Sequence, residues 1–284
     1  MRAINPAAET FLDAGRAGRR KDNVMGSATV QSGLWGRHVR TWSTEIEPRM
    51  APLYEATLDA LQPLARLHLL DAGCGAGLAL RKAADRGAVV TGLDATSELL
   101  DVARERVPDA DLRTGDIDDL PYPDESFDVV TAFNSIQYAP DPAAAVSELA
   151  RVCRRGGRVA IGIWGDPARC ETEGLFARLR TLAPPPPGTP APLACSDAGA
   201  VEGLLEKAGL DVVGGAEAMC AFTFRDLEHA WTAHTSAGPL QKVIDIAGAD
   251  AVRTVMDSVL EADRKPGGDL RQDNVFRYVI ATKD

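Results

Sequence analysis

The residues best able to do chemistry lie in three short stretches, each of which sets an aspartate at the end of an apolar run or beside glycine. Leu69-Leu70-Asp71-Ala72-Gly73-Cys74-Gly75-Ala76-Gly77 reads as a strand entering a glycine turn, and Val89-Val90-Thr91-Gly92-Leu93-Asp94 as a second strand closed by a carboxylate. Gly115-Asp116-Ile117-Asp118 follows a third strand. Carboxylates accept hydrogen bonds from hydroxyls and amines and attract cations, so three of them at one edge suit a ligand rich in those groups. A phosphate cradle would need lysine, and no glycine-lysine-serine or glycine-lysine-threonine sequence occurs. A dinucleotide turn would need a third glycine where Leu78 stands.

For these acids to meet, the strands that carry them must run parallel and end at one edge, which alternation of strands with helices produces. The pattern predicts a helix from Gly77 to Arg86 closed by Gly87, a strand from Ala88 to Asp94, and a helix from Ser97 to Val107 capped by Thr96 or Ser97. Strands follow at Ala110 to Asp116 and Phe127 to Asn134. Asp141-Pro142 opens a helix whose Val146, Leu149, Val152 and Cys153 face the sheet, and the turn Arg154-Arg155-Gly156-Gly157, its glycine pair supplying positive φ values, leads to a strand from Arg158 to Trp164. Upstream, Trp35 and Trp42 lie seven apart on one helical face, Trp35 as core, and Pro52 starts a helix bearing Leu53, Thr57, Leu61 and Leu64. Downstream come a stiff proline run from Ala183 to Gly188, a helix from Asp197 to Ala208, strand pieces at Asp211 to Val213 and Ala221 to Phe224, helical periodicity from Asp226 to Asp263, and a strand from Val275 to Thr282.

The acidic-x-Gly-x-Gly-x-Gly run with Asp94, Asp116 and the segment Leu120 to Val130 resembles the class I S-adenosylmethionine-dependent methyltransferases. The resemblance implies an α/β, Rossmann-like doubly wound sheet of about seven strands with the last antiparallel. It also implies a methyl transfer from S-adenosylmethionine to O, N or C of a small molecule, leaving S-adenosylhomocysteine. Carried over residue by residue, it assigns cofactor contacts to Asp71, Gly73, Cys74, Gly75, Gly77, Asp94, Ala95, Asp116, Ile117 and Asn134, with Trp42 from an N-terminal helix. Asp94 would hold the ribose hydroxyls and Asp116 the adenine amine, although an aspartate beside glycine also caps turns. Gln137 and Tyr138 would face the acceptor, or start a helix. Cys153 and Arg155 depart from the family's turn before the fifth strand. A protein of the same fold that binds S-adenosylmethionine but catalyses a non-methylating reaction, or serves as a partner subunit, fits the same residues.

The whole chain sets outer bounds. Its 284 residues and 45% hydrophobic content suit one αβ domain over 33–284, with insertions near 166–195 and 226–270 forming a substrate cap and 1–32 a flexible N-terminal extension. A formal net charge of -10 disfavours nucleic acid as partner. No apolar stretch reaches membrane-span length, Asn5, Glu9, Asp13 and Arg16 interrupt any signal-peptide core, and the five scattered cysteines form no C-x-x-C pair, which together suggest a cytoplasmic protein without a metal. Of the histidines, His68 falls in the first strand, whereas His229 and His234 fall in the cap and, with Tyr138, are the candidates for a general base.

Overall fold

Seven strands form one sheet in the order β3-β2-β1-β4-β5-β7-β6 in a computed structural model that describes residues 27–184 and 194–284. Most of the expected N-terminal extension, and Pro185 to Gly188 of the proline run, lie outside the described residues. Ser27 to Ser32, assigned from sequence to that extension, belong to helix α1 (Ser27–Trp35). A short α2 (Val39–Thr41) and tight 3-10 and π turns lead from there to α3 (Ala51–Ala60). Trp35 and Trp42 therefore do not share one regular helix, yet their rings meet edge to face at 4.8 Å.

The alternating region follows the pattern closely: β1 (His68–Ala72), α4 (Leu78–Asp85), β2 (Val89–Asp94), α5 (Ser97–Arg106), β3 (Asp111–Thr114), β4 (Phe127–Phe133), α6 (Pro142–Val152) and β5 (Cys153–Trp164). β1 to β5 are parallel, with Asp71 opposite Gly92 and Thr131. The side-chain period of two divides the central strands between two layers. Leu69, Val129 and Ala160 face α4 and the N-terminal helices, while Leu70, Val130 and Ile161 face α6 and, further along the chain, α8 (Ala200–Lys207). Asp141 caps α6 by accepting the Ala143 N–H at 2.9 Å.

The second half holds the differences. Pairing in β5 begins at Cys153, so the Arg154–Gly157 segment lies within the strand. Gly156 alone of the glycine pair has positive φ (71°), whereas a Cβ at Gly157 would stand 2.7 Å from Cys153 Sγ. After α7 (Thr172–Leu182), α8 starts three residues later than its apolar pattern because Gly199 takes a left-handed turn before it. The two strand pieces are one, β6 (Asp211–Phe224), continuous because it pairs along its length with β7 (Leu270–Thr282). That pairing also extends β7 five residues upstream of Val275. β7 is antiparallel to both neighbours, as the resemblance implies. Between β6 and β7, helices α9 (Leu227–Thr235), α10 (Gly238–Ala247) and α11 (Ala249–Ala262) fold back, burying Leu240, Val252, Met256 and Leu260.

Candidate active site

The carboxyl ends of β1, β2 and β3 open into a cavity of about 370 Å³. Its first half is built by backbone. Gly73 and Gly75 turn the chain out of β1 with φ of 82° and 54°, and a Cβ on Gly73 would collide with the Ser135 side chain. Asp94 holds the turn from the neighbouring strand: one carboxylate oxygen accepts the Gly75 N–H at 2.9 Å and the other the Thr96 N–H at 2.8 Å. Each oxygen keeps a lone pair for a ligand hydroxyl. Burial raises the Asp94 pKa above the ordinary carboxylate range, and those backbone donors oppose the rise.

Asp71 lies beneath the turn, fully buried, with the Thr131 hydroxyl donating to it at 2.8 Å. Burial dominates and pushes its pKa up to about 7. Cys74, Ala95, Asp116, Ile117, Asn134 and Trp42 also line the cavity. Asn134 has φ of 48° and donates its amide towards Met50 Sδ at 3.4 Å, while its Oδ1 is buried without a partner. Gly77 is the exception in the glycine run. It does not line the cavity but starts α4 against α5, where a Cβ would stand 2.9 Å from that of Ala103.

Sequence reasoning missed Glu47, which is 3% exposed, lines the cavity and accepts the Leu78 N–H at 3.2 Å. Arg106 pairs with its other oxygen and also donates to Ala76 O at 2.9 Å, which fixes the N-terminal helices to the glycine turn. Nothing local marks Glu47, because its partners lie 31 and 59 residues away. Ser135, which follows Asn134 at the mouth of the crevice, donates its hydroxyl to Ala72 O at 2.8 Å.

The second half of the cavity is assembled from the ends of β5 and β6 and from helices α7, α9 and α10. Trp164 ends β5, Thr172, Phe176, Leu179 and Arg180 come from α7, Phe222 from β6, His234 from α9, and Leu240 and Val243 from α10. Trp164 packs on Phe276 at 4.3 Å and on Phe222 at 6.0 Å. An aromatic residue at a strand's carboxyl end was a signal that the sequence offered.

The remaining candidates separate. Tyr138 lines the cavity beside Trp35, their rings 5.7 Å apart, so Trp35 borders the cavity instead of serving only as core. Burial pushes the Tyr138 phenol up to about 12, which leaves it a hydrogen-bond donor at neutral pH and no base. Gln137 does not border the cavity. His229 also lies outside it: its Nε2 meets Glu45 Oε2 at 2.7 Å in a separate surface hollow, because the Asp226 cap of α9 turns it toward the N-terminal helices. His68 is exposed at the start of β1, its N–H donating to Asp128 at 2.8 Å.

In the first half, the cavity is bordered by three aspartates, a glutamate, Asn134 with its orphaned amide oxygen, and a glycine cradle, with no lysine or arginine among the described residues. That donor set fits S-adenosylmethionine, which carries hydroxyls, amines and two cationic centres, and does not fit a pyrophosphate.

Comparison with known proteins agrees. Residues 70–161 match the family model of the methyltransferase domain. Phosphatidylethanolamine N-methyltransferase of Cereibacter sphaeroides is 44% identical over 100 residues, 33% of this chain and 49% of that protein. The 27-O-demethylrifamycin SV methyltransferase of Amycolatopsis mediterranei is 37% identical over 145 residues, 45% of this chain and 52% of that protein. The chain thus spans about half the length of these curated relatives. The YcgJ protein of Bacillus subtilis shares the fold, with a TM-score of 0.57 at 18% identity over 81% of this chain and 97% of that one.

Proposed function

We propose that this protein, residues 70–161 of which match the methyltransferase domain model, is a class I S-adenosylmethionine-dependent methyltransferase that transfers a methyl group to O, N or C of a small-molecule acceptor and releases S-adenosylhomocysteine. The observation that carries the reading is one continuous cavity joining the acid-and-glycine half to the aromatic half. When bound, S-adenosylmethionine supplies a methyl group activated by its sulfonium.

The chain's own work is binding, orientation and exclusion of water. Asp94, preset by the Gly75 and Thr96 N–H groups, would hold the ribose; Asp71 would receive the ammonium of the methionyl end; Asp116 and Ile117, which line the same cavity, would hold the base. The N-terminal helices and α10 close the cavity from above, Gly238 packing so tightly on Trp35 that a Cβ would stand 2.8 Å from the indole. Holding acceptor and methyl in line supplies much of the acceleration without a dedicated base. Tyr138 remains protonated and His229 lies outside the cavity, which supports a positioning mechanism.

The cytoplasm is the proposed compartment. Support comes from five cysteines that are all free and buried, while no described helix is long and apolar enough to cross a membrane. Isothermal calorimetry with S-adenosylhomocysteine tests the reading: one equivalent should bind the folded protein, and absence of binding would sink it. Conversion of an acceptor without formation of S-adenosylhomocysteine would instead support a non-methylating enzyme on this fold.

A further inference from the structure

The wall of the second half of the cavity contains a buried polar network in which nearly every group has its match. Thr172, 1% exposed, donates its N–H to Asn274 Oδ1 at 3.0 Å and its hydroxyl to Gln272 Oε1 at 3.1 Å. Gln272 Nε2 donates to Asp263 Oδ2 at 3.2 Å, and Asn274 Nδ2 to Gln272 O at 3.3 Å. A carboxylate can only accept, so Asp263 fixes which end of the Gln272 amide is nitrogen and directs its oxygen to the opposite side.

His234 borders the cavity against this network. It is 4% exposed, its ring lies 4.9 Å from that of Phe224, and the Gln272 side chain lies beside it. Its Nε2 is buried without any partner. A buried ring nitrogen left unmatched in an otherwise matched network is costly unless a ligand supplies the missing group. With the ring's single proton on Nδ1, Nε2 keeps a lone pair and acts as an acceptor.

Charge narrows the class further. Among the described residues, the charged side chains bordering this half are Arg180, ion-paired with Glu173, and Lys242 at the exposed rim, whereas the carboxylates bordering the cavity all lie in the other half. Arg49 is packed over the Phe224 ring at 5.0 Å. A cationic amine would meet cations and aromatic walls here with no carboxylate to receive it.

We infer that His234 Nε2 accepts a hydrogen bond from a neutral hydroxyl on the methyl acceptor, and that the acceptor is a hydroxylated aromatic compound whose ring lies among Trp164, Phe176 and Phe222. The inference deepens the methyltransferase reading and rests on it for the word acceptor. His234 is a specificity-determining residue in this scheme, and no proton need leave the hydroxyl when it binds.

The test uses three probes of one shape on the intact protein: 2-naphthol, 2-methoxynaphthalene, which lacks the donor, and the cationic 2-naphthylmethylammonium. Calorimetry should show 2-naphthol binding at least about tenfold more tightly than either, the scale of one matched buried hydrogen bond. His234→Phe should bring 2-naphthol and 2-methoxynaphthalene within about twofold of each other, the loss of the hydrogen bond leaving the apolar contacts. Nitrogen NMR of histidine-labelled protein reads the same contact without a variant: His234 Nε2 should be unprotonated, and its resonance should move with 2-naphthol but not with 2-methoxynaphthalene. Equal affinities in the unmodified protein, preference for the ammonium probe, failure of 2-naphthol to bind, or a protonated Nε2 would each overturn the inference. S-adenosylhomocysteine is titrated into the same samples; its failure to bind would remove the cofactor reading while leaving the naphthol comparison to be judged by itself.

Discussion

The two halves of the cavity are made by different means. The half at the ends of β1 to β3 comes mainly from residues 71 to 117, and backbone does most of the shaping: the left-handed Gly73 and Gly75 and two N–H groups held by Asp94. The half at the ends of β5 and β6 gathers residues from 164 to 246, held by aromatic packing and by a side-chain network. A backbone-built site is rigid and constrains ligand chemistry closely. A side-chain-built wall can change its acceptor with a few substitutions while the sheet and the first half stay as they are.

The largest test of that division is Phe222→Ala. Phe222 is 2% exposed and packs near Trp164 and Phe276, so its loss should cost about 3 kcal/mol in urea unfolding while S-adenosylhomocysteine affinity changes less than about twofold. A loss of cofactor affinity in the folded variant would mean that the halves are not independent. Glu47→Ala should strike both properties. It leaves Arg106 without its carboxylate and the Leu78 N–H without its acceptor, for about 3 kcal/mol of stability at most, given that Arg106 keeps Ala76 O and Ser43 O. Cofactor affinity should fall with it, measured on protein shown by circular dichroism to be folded.

Asp94→Ala should weaken S-adenosylhomocysteine binding by about 1–3 kcal/mol, the scale of a lost charge-assisted pair. Unchanged affinity would show that the acid serves only the turn. Asp71 gives a smaller effect that depends on pH. Its carboxyl titrates at about 7 in the free protein because it is buried, and a ligand ammonium favours the ionised form. Affinity for S-adenosylhomocysteine should therefore rise about tenfold from pH 6 to pH 8, and Asp71→Asn should flatten the profile. The folded state binds this proton more tightly than the unfolded chain, so the contribution of Asp71 to stability declines between about pH 4 and pH 7 and then levels off. A cofactor affinity independent of pH would show that the ammonium lies elsewhere.

How much of this was legible in the sequence follows the same division. The glycine run, Asp94 and the strand pattern up to Trp164 are local signals, since a turn, a cap and a period of two need only near neighbours, and seven strands with an antiparallel last one follow from them and from the resemblance. Gly77 shows the limit of a local signal: the motif groups it with Gly73 and Gly75, but contact with Ala103, 26 residues on, gives it a packing role. Glu47, Phe222 and Gln272 carry no local mark at all. Their roles come from partners brought near by the sheet and by the fold-back of α9 to α11, and a buried glutamine cannot be told from a solvated one by its neighbours in sequence.

The smallest prediction concerns the one cap histidine that the structure places elsewhere. His229 joins Glu45 across the seam between α9 and the N-terminal helices, with side chains 13% and 33% exposed, and its hydrogen bond holds the Glu45 carboxyl below the usual range. A pair of this kind contributes about 1 kcal/mol or less. Because Glu45 has its pKa depressed in the folded protein, that contribution is present above the unfolded carboxylate pKa and is lost as pH falls through the folded value. His229→Ala should thus cost no more than about 1 kcal/mol at pH 7, and that difference should narrow in acid. Affinity for S-adenosylhomocysteine and for 2-naphthol should stay within about twofold, since neither Glu45 nor His229 borders the cavity. Should either affinity fall tenfold in a folded variant, the seam would be coupled to the site, and closure of the N-terminal helices on α9 would belong to ligand binding itself.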